Sequence, residues 1–179
     1  MKLRFTHFLF LLTGLFLGCS EQVDFDQANE VSLTSTQDID LVYFTLSQDT
    51  FVDSTGQLQQ TGVVEAVKLD FLDDPFFQNH LIKIVFAFRM TNTFPQELTA
   101  VIKFNDSTGV TRESIALEAA GSTDGSEVIS EYEVVKEGAA IDNITNADNV
   151  LVEYYLNADG SPIVGSLTFE SKAAYTVEL

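Results

Sequence analysis

The chain has 179 residues, with 27 acidic side chains against 9 basic ones, a formal charge of −18, one cysteine and two histidines. That balance excludes a nucleic-acid partner held by clustered Lys and Arg, and likewise a basic patch on anionic headgroups. It also leaves too few His and Cys for a zinc site built on several such ligands.

Met1-Lys2-Leu3-Arg4 is a short basic start, and Phe8 to Leu17 is an apolar run of ten residues. A membrane-spanning helix needs about 20 residues. Residues 1–18 therefore read as a cleaved export signal, with small Gly18 just before Cys19. Leu15-Phe16-Leu17-Gly18-Cys19 resembles the lipobox of bacterial lipoproteins, with Phe16 where the family usually has Leu and Leu15 allowing a shifted fit. The resemblance implies that the Cys19 thiol carries a diacylglycerol. It further implies an exported protein anchored at the outer membrane, facing the periplasm or the cell surface. Each buried methylene is worth about 0.8 kcal/mol, so two or three acyl chains anchor stably where one binds reversibly. Loss of Lys2 and Arg4 with the signal would take the formal charge from −18 to −20.

Residues 19–35 are polar, acidic and without a period, the composition of a tether kept solvated by its own charge. Such a segment behind a lipidated cysteine resembles the export signal of surface lipoproteins in the Bacteroidota, although Glu21, Asp24 and Asp26 are more widely spaced here. Cys19-Ser20-Glu21, Val23-Asp24-Phe25-Asp26-Gln27 and Phe71-Leu72-Asp73-Asp74-Pro75-Phe76-Phe77 together resemble a lipoprotein of flavobacteria and their relatives. That resemblance brings a location and no activity.

From residue 36 onward, period-two alternation of β-branched and aromatic residues predicts a single all-β domain over 36–179. Strands are predicted at 40–46, 63–70, 82–90, 98–104, 111–118, 127–135, 149–157, 166–171 and 174–179. In the clearest run, Ile82, Ile84, Phe86, Phe88 and Met90 share one face and Lys83 and Arg89 the other. Leu98, Ala100, Ile102 and Phe104 repeat the pattern, and the two runs are expected to pair antiparallel. Residues 105–109 and 157–162 read as hairpin loops, and Ala120-Gly121-Ser122-Thr123-Asp124-Gly125 as a mobile link. A short helix is expected near 74–80, with Asp73 or Asp74 as its cap and Pro75 in its first position. About 7–9 strands of this length argue for an antiparallel β-sandwich, immunoglobulin-like or jelly-roll-like.

Reactive groups are few. His7 leaves with the signal and Cys19 is acylated, so His80 is the only imidazole left. A nucleophilic serine would need it as base, yet no Gly-x-Ser-x-Gly elbow occurs and a helix end suits a histidine. Carboxylates are abundant, but two acting as a glycosidase pair need a cleft and a raised pKa, and spacing alone selects none. Tyr154-Tyr155 alternates across a strand, so one ring is expected outside as a contact for sugar or protein. Asp70, Asp73 and Asp74, and Asp142-Asn143 with Asp148-Asn149, are oxygen-rich, but neither group has the spacing of an EF-hand loop, and each reads as a cap or turn. Asp53-Ser54-Thr55 and Asp106-Ser107-Thr108 are similar to the O-glycosylation sites of the Bacteroidota, and both fall in expected turns.

The reading that follows is a non-catalytic lipoprotein, lipidated at Cys19, with no catalytic residue, metal or cofactor. Its partners are the membrane, through the lipid, and an envelope protein. A surface receptor for carbohydrate or another nutrient would instead show a concave aromatic patch, and a carboxylate-based hydrolase a cleft of converging acids.

Overall fold

The computed structural model describes residues 34–67 and 74–179. Cys19, the export signal and most of the acidic segment fall outside them, as do Asp70, Asp73 and the Phe71-Leu72 pair. Eight strands follow in order: β1 (Thr34–Ser47), β2 (Gly62–Val67), β3 (Leu81–Asn92), β4 (Leu98–Asn105), β5 (Thr111–Ala119), β6 (Val128–Glu137), β7 (Asn149–Leu156) and β8 (Ser166–Glu178). They form two four-stranded antiparallel sheets, β1-β8-β3-β6 and β2-β7-β4-β5. The nested pairs β1–β8, β2–β7, β3–β6 and β4–β5 amount to one long hairpin rolled up around its β4–β5 tip, which is a jelly roll.

The alternating runs become the core. Ile84, Phe86, Phe88 and Met90 of β3 are buried, as are Leu98, Ala100, Ile102 and Phe104 of β4. From β7 and β8 come Val152, Tyr154, Leu167 and Phe169. Phe44 of β1 meets the Tyr154 ring edge-on at 4.7 Å and stacks on Phe169 at 5.3 Å. Aromatic side chains bury about 150–250 Å² each, so this cluster supplies much of the driving force.

Several expectations need correction. β3 and β4 do not pair; they lie in opposite sheets, and residues 93–97 cross between them. Residues 157–162 likewise form part of a crossing from β7 to β8, not a hairpin, whereas residues 105–109 do close the β4–β5 hairpin. Period-two alternation is identical whether a neighbour pairs beside a strand or packs across from it, so it cannot separate these cases. Ile82 is 39% exposed and Leu81 takes the inner place, because the β3–β8 register shifts between Leu81 and Lys83. The segments at 166–171 and 174–179 are one strand, β8, whose small Ala173 and Ala174 continue the ladder. β1 begins at Thr34, within the stretch read as tether, and runs past a bulge between Asp40 and Val42.

Helix α1 (Pro75–His80) forms as expected: the Asp74 carboxylate accepts from Phe76 N at 2.9 Å, and Pro75 occupies the first turn. A second helix, α2 (Ala139–Thr145), lies where the sequence pattern predicts none. Gly138 before it supplies no side-chain cap, so the usual start signal is missing; what holds α2 is burial of Ile141 and Ile144 at i, i+3.

The link over 120–125 is pinned rather than mobile. Ser122 N donates to Phe94 O at 2.7 Å and its hydroxyl to Ser126 O at 2.7 Å. A Cβ on Gly121 would stand 2.2 Å from Pro95 O, so only glycine lets the two crossings touch. Asn92 and Gln96, both buried, complete this junction. Asn92 Nδ2 donates to Gln96 O and Ala120 O, and Gln96 Nε2 donates to Ser161 Oγ.

Along the β5–β6 side, side chains latch the sheets together. Lys136 Nζ lies 2.7 Å from Glu113 Oε1, with both side chains mostly covered, and the Tyr132 hydroxyl donates to Glu118 O at 2.7 Å. Its bond to Lys136 holds the Glu113 carboxyl below the ordinary glutamate value of 4.5. A carboxyl with a lowered folded pKa stabilises the fold fully above its unfolded pKa and loses that stabilisation as pH falls through the folded value. Lys136→Met should therefore cost about 1–2 kcal/mol at neutral pH. Its deficit should shrink as the pH falls below about 4, the unfolded range of a glutamate. Urea melts at pH 7 and pH 3 check this; an equal deficit at both would assign the loss to packing.

Candidate functional site

The solvent face of the β1-β8-β3-β6 sheet is rowed by register. One row places Asp40, Lys172, Ala87 and Glu133 side by side; the next places Tyr43, Glu170, Arg89 and Glu131. Ala87 sits in the middle of long side chains, and its small size leaves a shallow concavity of about 530 Å³. Arg89 Nε lies 3.8 Å from Glu131 and 4.0 Å from Glu170, while Lys172 reaches Asp40 at 3.6 Å. Two rows from Ala87 on the side away from Arg89, Lys83 pairs with Glu137 at 3.0 Å. Glu133 has no ion-pair partner among the described residues. Beyond Ala87, Val85 is flanked by Ala174 and by the half-exposed Val135, an apolar row that adjoins the depression without lining it.

On the opposite sheet Tyr154 and Tyr155 divide as expected. Tyr154 is fully buried, and burial, with the nearby Glu65 charge, pushes its hydroxyl well above the phenol range. Tyr155 is 45% exposed; its hydroxyl donates to Glu153 Oε2 at 2.5 Å, and Lys103 Nζ lies 2.7 Å from the same oxygen. These bonds, that from Lys103 first, hold Glu153 below the usual carboxylate value. The Tyr155 ring also lies over Gly62, at 3.5 Å from the position of an added Cβ, which covers the bare backbone of the edge strand.

The other sequence candidates are local structure. His80 Nδ1 bonds to Phe76 O at 2.9 Å, so that nitrogen carries the proton, and the imidazole stacks on the Phe76 ring. Asp142 and Asn143 lie on α2, and Asn149 opens β7. Asp53-Ser54-Thr55-Gly56 and Asp106-Ser107-Thr108-Gly109 fold into the same turn. In each, Asp Oδ1 accepts the Thr N–H and hydroxyl and a later amide, from Gln57 or Val110. Gly56 and Gly109 close the turns at φ +80° and +81°. Ser54 and Ser107 are exposed at the tips.

Neither the concavity over Ala87 nor the acidic strip of β6 beside it was singled out from sequence. The signal was present as Glu131, Glu133 and Glu137 at period two, but only the strand order shows that β6 is an edge.

Compared with known proteins, the chain matches no family model and no curated sequence. Among solved structures it is similar to the VP2 subviral particle of infectious bursal disease virus, with a TM-score of 0.41 and 12% identity over 82% of this chain and 33% of that one. It is also similar to a protein from Parabacteroides distasonis that is described as secreted, with a TM-score of 0.45 and 17% identity over 63% and 36% of the two chains. A third is the enzymatically active domain of tailspike protein 4 from bacteriophage CBA120, with a TM-score of 0.39 and 15% identity over 80% and 19%. The chain spans about a third of the length of the VP2 chain.

Proposed function

We propose that this protein is an exported lipoprotein, anchored through Cys19 at the outer membrane, whose jelly roll serves as a non-catalytic binding or structural component of the envelope. The observation that carries the reading is the run Leu15-Phe16-Leu17-Gly18-Cys19 behind a ten-residue apolar segment with a basic start. Among the described residues no helix is long and apolar enough to cross a membrane.

The alternatives gain less support from the described residues. A sugar receptor calls for a concave aromatic patch. Tyr132 borders the concavity over Ala87 and exposed Tyr43 stands in the adjoining row, but most of the lining residues are charged, and exposed Tyr155 stands on the other sheet. A glycosidase calls for an acid with a raised pKa in a cleft. Glu131, Glu133 and Glu170 instead border an open depression, and the carboxylates with displaced titration, including Asp106, Glu113 and Glu153, are displaced downward by hydrogen bonds.

The test is metabolic labelling of cells with an acyl-chain probe. Wild-type protein should take up label and partition into detergent, whereas Cys19→Ala should take up none. Equal labelling of both would remove the anchor from the reading.

A further inference from the structure

We propose that the outer edge of β6 is a docking site for an extended, basic segment of a partner protein, which adds to the β1-β8-β3-β6 sheet as a fifth strand. The proposal deepens the binding role given above by naming the surface and the chemistry of the partner; it does not depend on the lipid.

The four sheet edges are not equivalent. β1 carries a bulge between Asp40 and Val42, and β2 is only six residues long. Both are devices that discourage strand addition. The β5 edge is partly closed from β6, since the Tyr132 hydroxyl takes Glu118 O and the Ser130 hydroxyl approaches Ala120 N at 3.4 Å. β6 itself is ten residues long, contains neither Pro nor Gly, and pairs with β3 in unbroken register from Glu137 to Val128. Among the described residues, no side chain or loop backbone bonds to the β6 main chain from its free side. Alternate residues of an edge strand turn N–H and C=O groups outward, and these are the groups an added strand would meet.

Side chains then select the partner. The solvent face of β6 presents Ile129, Glu131, Glu133, Val135 and Glu137, with Ile129 and Val135 each 47% exposed. Pairing of two β6 edges from two copies would set carboxylates against carboxylates, which is destabilising in directly opposed positions. Glu131 and Glu137 already pair with Arg89 and Lys83, so it is Glu133, with no ion-pair partner among the described residues, that favours Lys or Arg on an incoming strand. It stands beside the depression over Ala87, which Glu131 and Glu170 border together with Arg89 and Lys172. In antiparallel addition, the order facing Glu137 to Ile129 is basic, apolar, basic, basic, apolar at every second residue. The intervening positions lie on the side of Tyr132 and Lys136, where neutral residues fit.

The test uses the full-length protein in detergent and a nine-residue peptide with lysine, valine, lysine, lysine, valine at odd positions and threonine between. Expected results are saturable binding in fluorescence anisotropy and slowed hydrogen exchange of β6 amides. Glu131→Lys together with Glu133→Lys, both on the exposed face, should weaken binding at least tenfold with a melting temperature within a few degrees of the parent, the loss of the Arg89 pair being a surface effect. Methylation of the peptide nitrogens that face the protein should do the same. Binding that survives methylation or reversal of the peptide sequence, protection elsewhere than β6, a self-associated dimer joined through β6, or no binding would each overturn the proposal. Acyl labelling of the same preparation reports the anchor separately: a labelled protein that ignores the peptide loses only the docking site, and an unlabelled one that binds it loses only the anchor.

Discussion

Phe86→Asp should leave no cooperatively folded protein at 25 °C, while Lys83→Asp, three residues earlier on the same strand, should melt within a few degrees of the parent. Phe86 is 2% exposed, stacks with Phe88 at 5.9 Å and meets Phe104 of the opposite sheet at 6.1 Å. Removing its ring alone costs about 3–5 kcal/mol. An unpaired carboxylate in its place adds a desolvation penalty of several kcal/mol more. The sum takes up most of the 5–15 kcal/mol by which a domain is ordinarily stable. Lys83 lies 41% exposed on the solvent face, and its replacement loses a surface pair with Glu137 and sets two exposed carboxylates opposite each other, together about 1–2 kcal/mol. Circular dichroism melts of both variants check the contrast; comparable losses would mean that the two faces of β3 are wrongly assigned.

Asn92→Leu should cost about 3–6 kcal/mol although the branched four-atom side-chain skeleton is kept. Asn92 is fully buried at the end of β3, where its amide nitrogen serves Gln96 O and Ala120 O at 2.9 Å each and its oxygen accepts Phe94 N at 2.9 Å. Leucine would strand two buried backbone groups, Gln96 O and Phe94 N, each at about 1–3 kcal/mol, and the less buried Ala120 O at a smaller cost. The midpoint in urea should fall with little change in slope, and Ser107→Ala, at an exposed hairpin tip, should leave it where it was. A loss for Asn92→Leu below about 1 kcal/mol would show that water replaces the amide at this junction.

The two substitutions differ in how far they were visible beforehand. The Phe86 face follows from alternation between Ile84 and Met90, a pattern that any half-buried strand must show. Asn92 gave no such signal, because a polar residue ending an apolar run reads as the start of a turn. Its bonds go to residues 96 and 120, and the second of these becomes a neighbour only when the β5–β6 crossing folds over the β3–β4 crossing. The same limit explains Ile82, which a perfect period two would bury and a bulge exposes. It also explains α2, whose burial comes from packing and not from a cap. Of the candidate residues, Asp74, His80 and the two Asp-Ser-Thr turns were legible as local structure because the bonds that close them span at most four residues, Arg112 adding a bond to Asp106 from six residues on.

By itself the sequence determined the all-β class, the inward residues of most strands, the capped start of α1 and the β4–β5 hairpin. Each of these rests on interactions between residues close along the chain or on the two-residue pleat. Tertiary structure alone decided that β3 and β4 face each other across the core, that β6 is an edge with its acids in a row, and that Ala87 lies at the bottom of a depression. Those outcomes depend on which distant strands share hydrogen bonds. Alternating side chains satisfy a neighbour beside them and a neighbour across from them equally well, so the choice is made by the packing of all eight strands at once.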